Sequence, residues 1–243
     1  MRGIFLYILA GVFFAGLAQA AEPDETIRKA LKAVQPGIVV ESIEPSPVPS
    51  LYQVNIGKGK VLYATADGKY IIEGNLFALQ GTKTIDLTEK VRNKALAREL
   101  NDIPVSEMIV YSPPKVVPTK THITVFTDTN CFYCAKLHGD IPNLNKSGVE
   151  VRYLAYPIKG SYEDMVSVWC APDRKLAMTK AMQKQGVVKA TCQNPIDEQA
   201  QLAQSLGVSG TPSIFLVNGE LVPGYQSDDE LVKAAIQAQS EVK

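Results

Sequence analysis

The chain has 243 residues, 46% of them hydrophobic and 21% charged, which is the balance of an ordinary globular protein with mass for roughly two domains. Its 25 basic and 25 acidic residues cancel, and its pI lies near 6.7. That excludes a field able to gather nucleic acid or an anionic membrane surface, and the composition fits neither a disordered nor a fibrous chain.

Arg2 is followed by an apolar run from Ile4 to Leu17 and then by Ala18-Gln19-Ala20. A basic start, a short apolar core and an Ala-x-Ala site predict a cleavable secretory signal over residues 1–20 rather than a membrane anchor, because a span needs ~20 apolar residues. The mature chain is expected to begin near Ala21 as a soluble exported protein. Next, Ile27, Ala30, Leu31 and Val34 recur at helical spacing within Glu25 to Val34, so this stretch reads as a helix. Residues 38–43, 51–56, 60–65 and 69–73 are rich in β-branched and aromatic side chains and read as strands, with Asp67-Gly68 as a two-residue hairpin turn. This β-rich unit over residues 21–85 is small, and a unit of roughly 65 residues often needs a second copy or another domain for stability.

Thr88 to Leu100 is a charged helix with a narrow apolar stripe and Thr88 placed to cap it. It reads as a linker within residues 86–104. Residues 105–243 then alternate strand and helix. Strands are expected at Met108 to Tyr111, His122 to Thr127 and Val149 to Tyr156, and a helix at 131–145. Helical segments follow around 162–186 and 195–206. A hairpin from Ser213 to Val222 turns at Asn218-Gly219, and a helix over 227–239 closes the chain. The expected fold class is therefore mixed, α+β with α/β: a small β-rich N-terminal domain, a linker helix and a layered C-terminal domain.

Four cysteines are present: Cys131, Cys134, Cys170 and Cys192. Export permits disulfides, and four cysteines allow three connectivities that spacing alone does not resolve. The strand ending at Thr127 runs through Asp128-Thr129-Asn130 into Cys131, which should sit at the start of the following helix. Free N–H groups and the positive end of the helix dipole favour a thiolate there, and such motifs have thiol pKa values from ~3.5 to ~7.5. Cys131 is then the exposed nucleophile. Cys134, one turn on, can close a disulfide with Cys131 or expel a bound substrate, so the pair supports disulfide exchange. A zinc site from Cys131, Cys134 and His138 is disfavoured, since Cys170 and Cys192 do not form a second close ligand pair. Ala135 stands where haem attachment needs histidine. A structural Cys-x-x-Cys staple is a further alternative. His138 can face the same side of its helix as Cys134, but it reads first as a histidine without a catalytic role. Glu163 and Asp164 read as solvated surface and Trp169 as core, while Tyr225 fits either core or a cleft wall.

Cys131-Phe132-Tyr133-Cys134, Val208-Ser209-Gly210-Thr211-Pro212, Leu221-Val222-Pro223-Gly224-Tyr225, Gly68-Lys69-Tyr70-Ile71-Ile72-Glu73-Gly74 and Met108-Ile109-Val110-Tyr111 together resemble the periplasmic DsbC/DsbG family of thiol:disulfide interchange proteins, and DsbC more than DsbG. The resemblance covers nearly all of the mature chain. It implies a homodimer joined through the N-terminal domains and a thioredoxin-like catalytic domain with a helical insertion. It also implies that Thr211 and Pro212 form a cis-proline loop facing Cys131, that Phe132 and Tyr133 help to position substrate, and that Cys170 pairs with Cys192. Where DsbC has glycine, this chain has Phe132, which adds apolar surface beside the nucleophile. The implied function is isomerisation of misfolded, disulfide-scrambled exported proteins in the periplasm, recharged by a membrane reductase of the DsbD type, with no diffusible cofactor or metal and no nucleic acid. The rivals are a DsbA-like oxidant and a chaperone whose redox activity is secondary.

Overall fold

A computed structural model describes residues 22–158, 160–222 and 224–242, so the expected signal segment lies outside the described residues. Helix α1 (Pro23–Val34) begins with proline, whose missing N–H has no partner to lose at a helix start, and with Asp24 and Glu25 at the positive end of the helix dipole. Its buried Ile27 and Leu31 pack on Val54 and Ala64. Those two come from an antiparallel sheet of β1 (Ser42–Pro45), β2 (Leu51–Asn55), β3 (Val61–Thr65) and β4 (Ile71–Ile72), in that order. The turn between β3 and β4 is built at Asp67-Gly68: the Gly68 N–H donates to Thr65 O at 2.8 Å and Gly68 has φ +66°, a backbone region that glycine enters freely. The strand expected from residue 38 begins only at Ser42.

A second hairpin, β5 (Phe77–Gln80) with β6 (Lys83–Asp86), is absent from the sequence reading. Little of it is buried, so its strands lack the strong alternation of apolar and polar residues that marks a half-buried strand.

Linker helix α2 (Leu87–Asn101) corrects the expected cap. Asp86, not Thr88, is the N-cap, and its carboxylate accepts the Glu89 N–H at 2.9 Å. The Thr88 hydroxyl is buried two residues past the cap, where it accepts the Leu76 N–H at 2.7 Å and bonds the Tyr63 hydroxyl at 2.6 Å. Both residue types can cap a helix, and the hairpin approaching from the side engages Thr88. At its other end α2 buries Leu96 and Leu100 with Met108, Phe126, Leu154 and Phe215. The helix is thus rooted at one end in the β-rich unit and at the other in the C-terminal layers. Gly219, with φ +85°, lies so close to α2 that a Cβ there would collide with the Asn93 carbonyl oxygen.

The C-terminal sheet contains β7 (Ile109–Tyr111), β8 (Thr121–Thr127), β9 (Val149–Ala155), β10 (Ser213–Leu216) and β11 (Leu221–Val222), in the order β11-β10-β8-β9-β7. Strands β8 and β9 are parallel, and the other pairs are antiparallel. Both faces are covered. Val125, Tyr153 and Ile214 point into one core with α3 (Phe132–Lys146), α5 (Arg174–Met182) and α7 (Asp228–Glu241). Their neighbours Phe126, Leu154 and Phe215 point into the other, with α2 and α6 (Ile196–Ser205). This alternation is the period-two geometry of a strand. Between β9 and β10 lie α4 (Tyr162–Trp169), α5 and α6, so the helical stretch expected over 162–186 is divided near Ala171-Pro172. Trp169 is core, its indole N–H donating to Glu107 O at 3.1 Å, and the exposed Glu163 and Asp164 pair with Lys189.

Candidate active site

Strand β8 ends in a turn shaped by Asp128. Its buried carboxylate accepts the Asn130 N–H and the Ile158 N–H, each at 2.8 Å, and its carbonyl accepts the Cys131 N–H at 3.2 Å. The turn delivers Cys131 to the N-cap of α3, where its sulfur accepts the Cys134 N–H at 3.2 Å. Such a donor binds a thiolate more strongly than a thiol. The Cys131 thiol also donates to Thr211 O at 3.2 Å, so the Thr211-Pro212 loop lies directly against it, with that peptide bond cis. Cys131 is partly exposed and Cys134 is 0% exposed, and neither is in a disulfide. Burial, with a further contribution from Cys131, pushes the Cys134 thiol up to about 12.

Phe132 is 77% and Tyr133 55% exposed. Their rings meet edge to face with centroids 5.4 Å apart, and Tyr133 stacks on Tyr225 at 6.3 Å. Tyr225 is thereby placed in the surface beside the site. Its hydroxyl donates to Asp140 at 2.8 Å, which pushes that phenol up to about 12, and Lys136 lies 4.4 Å from its ring centroid. The pairing of Tyr225 with Asp140 and Lys136 had no signal in the sequence.

His138 is buried one turn below Cys134. The Thr179 hydroxyl already donates to Lys175 O at 2.9 Å, so the His138 Nε2–H donates to Thr179 at 3.0 Å and Nδ1 accepts from Tyr153 at 3.3 Å. Burial depresses this imidazole to about 4. Both ring nitrogens therefore face α5 and β9, and among the described residues no group of three His, Cys, Asp or Glu side chains assembles a metal site. Cys170 and Cys192 form a disulfide, with Cα atoms 5.6 Å apart, which ties the end of α4 to the segment before α6.

A mixed sheet covered on both faces, with a free cysteine pair at a strand-to-helix junction and an X-Pro loop against it, defines a thioredoxin-like thiol:disulfide exchange enzyme. Residues 18–89 match the disulfide bond isomerase protein N-terminal domain and residues 118–239 the thioredoxin-like domain. The chain is 40% identical over 234 residues to the thiol:disulfide interchange protein DsbC of Escherichia coli strain K12, covering 95% of this chain and 93% of that protein. To the DsbC of Salmonella typhimurium it is 41% identical over 234 residues, with 95% and 93% covered. To that of Haemophilus influenzae it is 32% identical over 238 residues, with 96% and 97% covered. A crystal structure of a disulfide interchange protein from Neisseria gonorrhoeae aligns with 55% of this chain and 99% of that chain, at 25% identity and a TM-score of 0.49. The chain belongs to the DsbC family of thiol:disulfide interchange proteins.

Proposed function

We propose that this protein rearranges wrong disulfides in exported proteins in the periplasm, with Cys131 attacking and Cys134 resolving. The observation that carries the reading is the asymmetry of the pair: a partly exposed Cys131 sulfur on a backbone N–H, and a fully buried Cys134 whose thiol is pushed far up. Attack by Cys131 forms a sulfur–sulfur bond to one substrate cysteine and releases the other as a thiolate. A second substrate thiol can then displace Cys131, which is isomerisation, or Cys134 can do so, which is net reduction. A resolving thiol must lose its proton to attack, so burial of Cys134 slows the reductive exit and leaves time for the substrate to rearrange.

Thr211 and Pro212 are assigned to hold an extended substrate beside the sulfur, and Phe132 and Tyr133 to contact its apolar side chains. Support comes from the Thr211 carbonyl on Cys131 and from the exposure of the two rings. Each cycle of net reduction leaves Cys131 joined to Cys134, so a reductant is required; a membrane reductase of the DsbD type is the proposed donor. A homodimer is supported by β4, an unpaired sheet edge carrying Ile71 at 46% and Ile72 at 52% exposure, flanked by exposed Tyr70. An apolar edge strand of this kind is a template for pairing with a second chain.

The test compares purified mature protein, in a defined glutathione buffer, on a fully reduced client and on the same client with scrambled disulfides. Faster recovery of the scrambled client is expected, abolished in Cys131→Ser and reduced in Ile72→Lys in step with loss of dimer by sedimentation. Rapid oxidation of the reduced client with no rescue of the scrambled one would make the protein a disulfide donor instead.

A further inference from the structure

The turn that delivers Cys131 is gripped from a distant part of the chain. Lys184 follows the last turn of α5 with φ 58°, a left-handed backbone region that suits glycine and is uncommon for a long side chain. From there its ammonium donates to Thr129 O at 3.1 Å and to Asn130 Oδ1 at 3.2 Å. Thr129 is buried and Asn130 exposed, so the charge sits where the turn emerges at the surface, one residue before the nucleophile. Among the described residues it is the cation hydrogen-bonded to this turn. The buried Asp128 carboxylate holds the turn from beneath with two N–H donors. The positive φ belongs to the end of α5, where the Lys184 N–H donates to Ala181 O at 3.0 Å and the Gln185 N–H to Lys180 O at 2.9 Å.

We propose that Lys184 is a specificity-determining residue for disulfide exchange, favouring attack on disulfides flanked by acidic residues. This rests on Cys131 as the attacking sulfur. The ammonium is held at two points on the residues just before Cys131, so an incoming chain with carboxylates beside its cysteine is attracted and one with ammonium groups is repelled. The chemistry is otherwise unchanged. The Cys131 thiolate bonds to one substrate sulfur, the substrate disulfide breaks, and its electron pair leaves on the other sulfur, which takes a proton from water.

The test uses the reduced mature protein and two peptides of one sequence, each with its cysteine activated as a thiopyridyl disulfide and flanked by either two Asp or two Lys residues. Release of thiopyridone is followed under single-turnover conditions. Lys184→Gly removes the charge at a φ that glycine adopts freely, so the fold is retained; Lys184→Arg keeps the charge. For a charge at roughly 10 Å near the surface, the preference for the Asp over the Lys peptide should fall about two- to threefold in Lys184→Gly, persist in Lys184→Arg, and flatten in high salt. A ratio unchanged in Lys184→Gly, even with both rates lowered together, would overturn the proposal and leave Lys184 a structural strut. Cys131→Ser is the separate control: undiminished release from it would overturn Cys131 as the attacking sulfur and the Lys184 proposal with it, whereas an unchanged ratio in Lys184→Gly overturns the Lys184 proposal alone.

Discussion

Alkylation of the reduced protein gives a sharp test of the cysteine asymmetry. Cys134 is completely buried, its thiol is pushed up to about 12, and burial is the largest cause. A free thiol with a pKa of about 8.5 is a few per cent thiolate at pH 7, whereas a thiol near 12 is about one part in 10⁵, a deficit on the order of a thousandfold. Iodoacetamide reacts with thiolates, so Cys134 should be alkylated at least a thousandfold more slowly than a cysteine in an unstructured peptide, with exclusion of the reagent adding to the factor. The assay is Cys131→Ser protein treated briefly at pH 7, quenched, digested and read by mass spectrometry. Burial survives that substitution even though the smaller contribution of Cys131 is lost. Between pH 7 and 9 the rate should rise about tenfold per unit without levelling, because the range stays well below 12. Denaturant should abolish the protection. Alkylation of folded Cys134 within tenfold of the peptide, or a plateau below pH 9, would refute the reasoning and remove the argument for slow reductive exit.

Two further predictions concern stability. Replacing both Cys170 and Cys192 with Ala opens a link of sequence separation 22, worth about 3 kcal/mol in the chain-entropy account, so calorimetry should show a Tm lower by roughly 6–12 °C; a fall under 2 °C would mean that α4 and α6 hold this segment without it. His138 is depressed to about 4 by burial against about 6.5 in the unfolded chain, so the unfolded state binds the extra proton between these values. Stability tied to the neutral ring is therefore intact above pH 6.5 and is lost as pH falls toward 4, by about 3 kcal/mol in all. His122, lowered to about 4 by burial and by Arg152, titrates in the same window. Urea denaturation of His138→Gln should show about half of the histidine-dependent slope, and an unchanged slope would contradict a neutral buried His138.

The legible parts of this protein are those written in short stretches of chain. The Asp67-Gly68 turn, the strand running into Cys131 and the succession of strands and helices after residue 105 each follow from steric and solvation rules acting over short stretches, and the Cys131-Cys134 spacing needs only one helical turn. The same local rules misplaced the α2 cap, because Asp86 and Thr88 are both competent caps and only the position of Leu76 and Tyr63 commits Thr88 elsewhere. They left the cysteine pairing open at three connectivities, and the fold closed it by bringing Cys170 and Cys192 together. They held no sign that Leu96 and Leu100 would root the linker in the C-terminal core, that His138 would spend both nitrogens on Thr179 and Tyr153, or that Lys184 would reach Asn130 across 54 positions. Composition, the type of most elements and the Cys131-x-x-Cys134 spacing were determined by the sequence itself, since each depends on groups bonded close together. Partner choice among side chains far apart was decided by the tertiary structure, because hydrogen bonds and ion contacts act over a few ångströms and the topology alone sets which distant groups come within that range.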